Sequence, residues 1–139
     1  KWLDPGKFDD WMVANRYFLD KNADSEVKSK IGKTNRIHGS VSIGERCKIE
    51  NSKIKGPVVI GDNVKILNSY VGPYVSVSDD CIIEKSKIKN SVLMPGVKVL
   101  NIKKVLNNSL IGSEAEITNT NSHLNDLELF IGEKSQVRL

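Results

Sequence analysis

The stretch Ile60-Gly-Asp-Asn-Val64-Lys65 is one copy of a six-residue pattern that recurs through most of this chain. The pattern consists of a branched aliphatic residue, a turn-tolerant residue that is often Gly, two polar residues, a small residue and another polar one. Further copies begin at Ile43, Val71, Ile111 and Ile131. A repeat of fixed period indicates a stacked architecture more firmly than the propensities of single residues do.

The aliphatic positions of this pattern recur at steps of five or six residues. They are Ile31, Ile37, Ile43, Ile49, Ile54, Ile60, Ile66, Val71, Val77, Ile83, Ile88, Leu93, Val99, Val105, Ile111 and Ile117. Neither the period of an amphipathic helix nor that of an ordinary strand explains such spacing. Three steps make a coil of 17 residues, as from Ile49 to Ile66 and from Ile66 to Ile83. The spacing therefore predicts an all-β triangular solenoid over residues 31–139, and the fold we expect is a hexapeptide-repeat left-handed parallel β-helix preceded by one N-terminal α-helix.

A 17-residue coil predicts that residues 17 apart stack along the solenoid axis, about 4.8 Å from one coil to the next. The predicted stacks are Ile49, Ile66 and Ile83; Ile54, Val71 and Ile88; and Ser52, Ser69 and Ser86. Glycine after the aliphatic residue suits a corner with positive φ. After Ile117 the pattern weakens. Residues 118–127 are polar and rich in Asn, which predicts a loop that leaves the coil and rejoins it at residues 130–132.

Both cysteines occupy the small position of the repeat. Cys47 and Cys81 are 34 residues, or two coils, apart, with Val64 at the same position between them. Their Cα atoms are then expected about 9–10 Å apart, beyond the ~7 Å at which a disulfide can form. We therefore predict two reduced core residues, and two cysteines in separate coils make no metal site.

Residues 1–22 do not follow the repeat, and their pattern predicts a different structure. Asp4-Pro5-Gly6 has the chemistry of a turn, and the residues after it show helical spacing, which predicts a helix over about 7–20. The residues at that spacing are Phe8, Trp11, Met12, Asn15, Phe18 and Leu19. So much apolar surface on one helix requires a cover, either the first coil or another domain. Residues 23–30 are polar and are interpreted as a linker.

Size and composition restrict the possible functions. The 139 residues suffice for one domain and a short appendage. The net charge is +4, but the lysines are scattered along the chain, with acids interleaved, which favours a solvated outer face over a nucleic-acid surface. No apolar run approaches the length that spans a bilayer, and no secretory signal opens the chain. We therefore expect a cytoplasmic protein without nucleic-acid or membrane partners.

Two groups of motifs carry a family resemblance. Lys-Trp-Leu-Asp-Pro-Gly-Lys-Phe-Asp-Asp (1–10) and Ala-Asn-Arg-Tyr-Phe-Leu-Asp (14–20) resemble the end of the catalytic domain of sugar-1-phosphate nucleotidyltransferases. Gly-Pro-Val-Val-Ile-Gly-Asp (56–62), Asn-Ser-Tyr-Val-Gly-Pro-Tyr (68–74) and Asn-Ser-Leu-Ile-Gly (108–112) resemble the C-terminal tail of long-form glucose-1-phosphate thymidylyltransferases. The resemblance implies that residues 1–22 end a catalytic domain that would be this tail's own partner. It also implies a parent reaction, nucleotidyl transfer from dTTP to glucose 1-phosphate, that yields dTDP-glucose and pyrophosphate.

The same resemblance implies one metal ligand. In that family the Asp of a Trp-Leu-Asp-Thr-Gly motif binds the catalytic Mg²⁺, and the matching residue here is Asp4, followed by Pro5 in place of Thr. The alternative is that Asp4 only caps the helix. The family's Gly-rich nucleotide loop is absent from these 139 residues. The chain alone is therefore expected to be inactive and to bind no cofactor itself.

Two other function classes use the same repeat. Hexapeptide-repeat acyltransferases bind an acyl-coenzyme A and use a His as general base, and the chain offers His38 at a corner and His123 in the predicted loop. His123 is the better candidate, since loops carry function more often than coils do. The third class is a structural or regulatory tail that fixes a homo-oligomer, a dimer or a trimer, and we favour it for the chain itself. Its candidate outward or edge apolar residues are Val58, Val59, Tyr70, Tyr74 and Ile82.

Overall fold

The fold is one helix followed by a series of short strands. A computed structural model describes residues 5–21, 25–118, 126–127, 130–131 and 136–138, and the side chains of 7–21 and 25–118. The elements are α1 (Pro5–Lys21), β1 (Arg36–His38), β2 (Val41–Ile43), β3 (Lys48–Glu50), β4 (Lys53–Lys55), β5 (Val58–Ile60), β6 (Lys65–Leu67), β7 (Tyr70–Val71), β8 (Val75–Val77), β9 (Ile82–Glu84), β10 (Lys87–Leu93), β11 (Lys98–Leu100), β12 (Val105–Ile111), β13 (Glu116–Thr118), β14 (Asp126–Leu127), β15 (Phe130–Ile131) and β16 (Gln136–Arg138).

The strands form the three faces of a parallel β-solenoid of about five turns, as predicted. The first face contains β1, β4, β7 and the first halves of β10 and β12; the second contains β2, β5, β8 and the second halves of those two strands. The third face contains β3, β6, β9, β11, β13 and β16. Strands β10 and β12 turn the corner between the first and second faces at Asn90 and Asn108, both of which have positive φ.

The predicted stacks are confirmed. Ile49 is in register with Ile66 and Ile66 with Ile83, and Ile54, Val71 and Ile88 are in register on the first face. All six are buried. The serines form a ladder of their own, in which the Ser69 amide donates to Ser52 Oγ at 3.1 Å and the Ser86 amide to Ser69 Oγ at 3.2 Å. The side chains of the ladder therefore satisfy backbone donors at one corner of the coil.

Two predicted positions are wrong. Leu106, not Val105, points inward: Leu106 is fully buried and in register with Ile88, whereas Val105 pairs with Lys87 and is half-buried. The reason is that residues 101–104 lengthen this part of the coil, so the step from Val99 is seven residues. Val58, expected to face outward, is also buried at 1% exposure. A strand on the second face carries two inward residues, and the outward position of β5 belongs to Val59.

The repeat glycines are required for a different reason from the one predicted. Gly44 does not have positive φ; the positive φ of that corner belongs to Arg46. A Cβ at Gly44 would lie 2.2 Å from Asp62 Oδ1 and 2.6 Å from the Gly61 carbonyl oxygen. Asp62 Oδ1 in turn accepts a 2.8 Å hydrogen bond from the Glu45 amide. Glycine therefore makes room for the neighbouring coil. The predicted conformational reason holds at Gly72, where φ is 111°.

The other sequence-based predictions of the fold have mixed outcomes. Cys47 and Cys81 are free and buried, as predicted. The helix begins at Pro5, inside the predicted turn, because proline is tolerated at the first helical position. Val27 bridges Ile43 of β2, so the later part of residues 23–30 lies against the second face. The predicted loop over 118–127 is wrong at both ends, because Thr118 belongs to β13 and Asp126–Leu127 form β14, which pairs with β12. Residues 119–125 of that prediction lie outside the described part of the chain.

Candidate functional site

Helix α1 packs on the second face of the solenoid, against β8, β10 and β12, and not on the first coil. Met12, only 7% exposed, forms a small apolar cluster with Val92 and Leu110, and Phe8 packs at its edge. Val92 and Leu110 are outward residues in register on adjacent coils. The second face therefore has two apolar sides here, one toward the solenoid core and one toward the helix.

Polar contacts fix where the helix lies on this face. Asn15, 8% exposed, donates from Nδ2 to the Tyr74 carbonyl oxygen at 3.4 Å and accepts a hydrogen bond from Ser76 Oγ. The Arg16 guanidinium stacks 3.8 Å from the centroid of the Tyr74 ring, and its Nη1 donates to Asn90 Oδ1 at 2.7 Å. These partners occur on two neighbouring coils, so they specify one position of the helix along the solenoid axis.

Tyr74 is the main polar anchor of α1. Its hydroxyl donates a 2.8 Å hydrogen bond to Asp20 Oδ1, one turn beyond Arg16. The hydrogen bond to Asp20, then loss of solvent and then the negative charge of Asp20 raise the pKa of the Tyr74 phenol, and Arg16 lowers it. The neutral phenol is therefore the form that holds the helix.

Aromatic side chains of α1 outside the docked side are partly exposed. Trp11, Phe18 and Tyr17 expose 44%, 48% and 65% of their surface. Trp11 and Phe18 are seven residues apart, so they lie on the same side of the helix. Docking on the solenoid thus covers one apolar side of α1 and leaves about half of the surface of Trp11 and Phe18 exposed beside it. An exposed aromatic surface of this kind is typical of a contact site for another domain or molecule.

The first face of the solenoid is basic. Its outward positions on β1, β4, β7 and the first half of β10, which we call the basic face, are Arg36, His38, Lys53, Lys55, Tyr70, Lys87 and Lys89. Within these described strands there is no carboxylate. The acids that alternate with lysines along the sequence, such as Glu50 and Glu84, belong to the third face. The acids that are interleaved with lysines along the sequence therefore lie on a different face from these cations.

The predicted catalytic and metal-binding residues are not brought together. Asp4 and His123 both lie outside the described residues, so their roles stay predictions. His38 is exposed at the outer edge of the first face, in register with Lys55. Across the described ranges, no three His, Cys, Asp or Glu side chains cluster as a metal site requires. The only helix described is too short and too polar to cross a bilayer.

Sequence reasoning missed the docking site of the helix. One signal was present: Ser91-Val92-Leu93 and Ser109-Leu110-Ile111 place apolar residues at outward as well as inward positions. A strand that is apolar on both sides is buried on both sides. The partners Asn15 and Tyr74 are 59 residues apart, and no local pattern connects them.

Comparison with known proteins yields one relevant similarity. A glucose-1-phosphate thymidylyltransferase of Streptomyces antibioticus is 28% identical to this chain over 138 residues, 99% of the chain. The chain spans 38% of the length of that curated relative. No family model and no solved structure matches the chain. The family resemblance drawn from the sequence is thereby confirmed for the matched region, which includes both the helix and the solenoid.

Proposed function

We propose that this chain is the C-terminal part of a glucose-1-phosphate thymidylyltransferase and that its solenoid is a structural and regulatory tail. The observation that carries the proposal is the match over 138 residues, which covers both α1 and the repeats. Either part alone is common to several protein classes, whereas the helix followed by this solenoid is more specific. The tail then acts through contacts, and the chemistry belongs to the parent protein.

The parent reaction under this proposal is a displacement at phosphorus. A phosphate oxygen of glucose 1-phosphate attacks the α-phosphorus of dTTP, a new P–O bond forms, and the bond to the leaving pyrophosphate breaks. Mg²⁺ supplies charge neutralisation of the phosphates. Asp4 is the residue of this chain proposed to hold that ion, and a cytoplasmic location follows from the metabolic substrates.

The exposed side of α1 supports a contact with the rest of such an enzyme. Asn15, Arg16 and Asp20 fix the helix to the solenoid, while Trp11 and Phe18 keep about half of their surface exposed. A catalytic domain that packs on Trp11 and Phe18 would be held in a defined orientation to the tail. The helix would then connect the catalytic domain to the solenoid rigidly, without a flexible linker between these two parts.

Self-association is the second part of the proposed role. The outward residues Val59, Tyr70 and Ile82 are half-buried, and one lies on each of the three faces of the solenoid; flat parallel faces suit symmetric contacts. We propose a homodimer or homotrimer. Light scattering during gel filtration tests this, and a monomer at a concentration of about 100 μM, well above a micromolar Kd, would contradict it.

The activity is tested on the longer protein that the proposal requires. We expect it to convert dTTP and glucose 1-phosphate into dTDP-glucose, measured by anion-exchange chromatography, with release of pyrophosphate. Asp4→Asn should lower the turnover by at least about 10- to 100-fold, the loss that follows when even a group that only orients a metal ligand is changed. Asp9→Asn, an exposed acid five residues further on, serves as the matched control and should leave turnover unchanged. Equal turnover of the two variants would remove Asp4 from the proposal; no nucleotide sugar at all would overturn the proposed activity.

A further inference from the structure

The basic face presents its charges in regular rows. Arg36, Lys53, Tyr70 and Lys87 are in register on four successive coils. Adjacent coils are about 4.8 Å apart, so the Cα atoms of Lys53 and Lys87 are about 9–10 Å apart with Tyr70 between them. Lys53 Nζ lies 5.2 Å from the centroid of the Tyr70 ring. One aromatic ring is therefore flanked along the axis by cationic side chains.

An open groove of about 700 Å³ runs along the corner between this face and the third face. The cationic residues that line it are Arg36, Lys53, Lys85, Lys87 and Lys103, and no carboxylate lines it. The volume lies within the range of small-molecule sites in proteins. A lining with five cationic residues and no carboxylate is unusual for a surface on which lysines simply alternate with acids.

The serine hydroxyls on the floor of the groove already have hydrogen-bond partners within the protein. The hydroxyls of Ser52, Ser69 and Ser86 each donate to a backbone carbonyl at 2.8 Å. The same oxygens of Ser52 and Ser69 accept backbone amides of the next coil. A ligand in the groove would therefore be recognised by its walls, where the cationic side chains and the amides of Asn51 and Asn68 lie.

Four of the cationic residues that line the groove, Arg36, Lys53, Lys85 and Lys87, form no ion pair within the described part of the chain. The ion pairs Lys28–Glu26 and Arg46–Glu45 both lie away from the groove. Like charges on neighbouring coils repel one another, and a bound anion removes this repulsion. Such an arrangement favours a ligand with several negative charges over a ligand with one.

We infer that this groove binds an extended oligophosphate, the chemical class that includes nucleoside diphosphates and triphosphates. The rows of cations match a chain of phosphates, and the Tyr70 ring offers a flat surface on which a base or sugar can pack. The basic rows end at β12, where Val105 and Asn107 replace the lysines. The charged surface is thus about 14 Å long, which suits a small ligand rather than a nucleic acid that continues past it. The inference does not depend on the proposed transferase activity.

Isothermal titration of the chain with inorganic tripolyphosphate and with ATP tests the inference, with orthophosphate as the single-phosphate reference. We expect both oligophosphates to bind in the micromolar range and orthophosphate at least about tenfold more weakly. The variant Lys53→Gln with Lys87→Gln should raise the Kd for tripolyphosphate by about tenfold or more, as two lost charge-assisted contacts imply.

The matched control removes the same charge from another face. Lys48 and Lys65 are exposed, in register, and at the same first position of their strands on the third face. Lys48→Gln with Lys65→Gln should change the Kd by less than about twofold, within the effect of net charge alone. Circular dichroism checks that both double variants keep the native content of β-structure.

Three results would overturn the inference. They are the absence of binding by tripolyphosphate and ATP, equal weakening by the two double variants, and a 20-nucleotide single strand that binds while both oligophosphates do not. Tighter binding of ATP than of tripolyphosphate supports packing of the base on Tyr70. In that case Tyr70→Ala should abolish the difference between the two ligands.

Discussion

The hydroxyl of Tyr74, on a corner of the solenoid, donates a 2.8 Å hydrogen bond to Asp20, near the end of α1. The two residues are 54 positions apart, and with Arg16 stacked on the same ring they join the helix to the repeat. Because the hydrogen bond raises the pKa of Tyr74, the strength of this connection depends on pH.

We expect Tyr74→Phe to weaken the docking of α1 without unfolding the solenoid, since the ring that stacks on Arg16 is kept. Amide hydrogen exchange of α1 should become faster, while that of the solenoid core should not change. Tyr17→Phe is the matched control, because Tyr17 is 65% exposed and lies on the outer side of the helix. Equal exchange rates in the two variants would mean that the hydroxyl of Tyr74 does not hold the helix.

The contribution of Tyr74 to the docking of α1 should decrease at high pH. The folded pKa of Tyr74 is raised, so its contribution to docking is fully present below about pH 10, the ordinary value for tyrosine. The contribution is lost as the pH rises through the folded value. The difference in α1 exchange between wild type and Tyr74→Phe should therefore be constant from about pH 7 to 9 and shrink above pH 10. A difference that grows with pH would contradict this assignment.

The apolar part of the docking site predicts a second effect. Met12→Ala removes most of the side chain that lies between Val92 and Leu110, and we expect it to destabilise the docked helix by about 2 kcal/mol, the lower end for such truncations in cores. Limited proteolysis should then cleave within α1 before it cleaves the solenoid. Val13→Ala, at a position that is 67% exposed, should stay within about 0.5 kcal/mol of wild type.

How far the sequence predicts this structure depends on whether a feature repeats. The stack of Ile49, Ile66 and Ile83 follows from the 17-residue spacing, because every coil must bury an equivalent residue in the same core. Leu106 was missed because a period identifies equivalent positions only while the coil length is constant, and residues 101–104 change that length.

The candidate sites were less predictable for a different reason. Lys53 and Lys87 are 34 residues apart, so the coil length already placed them on one face, and the basic face was available to the same reasoning. The helix site was available only in part: the outward residues Val92 and Leu110 marked the surface, but the contact depends on a non-repeating segment that meets Ser76 and Val92 in space. Composition gives only the total number of charges. It does not show that the solenoid places Lys53 and Glu50 on different faces, on either side of a corner.

The repeat glycines predict a contrast between two substitutions. Gly44→Ala places a Cβ 2.6 Å from the Gly61 carbonyl oxygen, so the coils must separate locally, and we expect a loss of about 1–3 kcal/mol in the free energy of unfolding. Gly32→Ala places its Cβ in open space and should stay within about 0.5 kcal/mol of wild type. Urea denaturation measures both, and similar midpoints for the two variants would contradict a packing role for Gly44.

The buried thiol of Cys81 predicts a chemical property of the folded chain. Burial raises its pKa to about 11, and its Sγ donates to the Met94 carbonyl oxygen at 3.3 Å. At pH 8 about one Cys81 in a thousand is then a thiolate, the form that reacts with iodoacetamide. We expect no alkylation of Cys81 in the native protein over a period in which an unfolded sample reacts completely, as measured by mass spectrometry of peptides.

A matched control separates burial from the chemistry of the reagent. In the variant Lys98→Cys the added thiol lies at an exposed strand position on the third face, and it should be alkylated at the rate of a free thiol while Cys81 in the same molecule is not. The neutral thiol stabilises the fold below the ordinary cysteine pKa of about 8.5, and this contribution is lost as the pH rises through about 11. Rapid alkylation of Cys81 at pH 8 would show that the solenoid opens at this coil far more often than its packing implies, because the reagent reaches the thiol only when the coil separates.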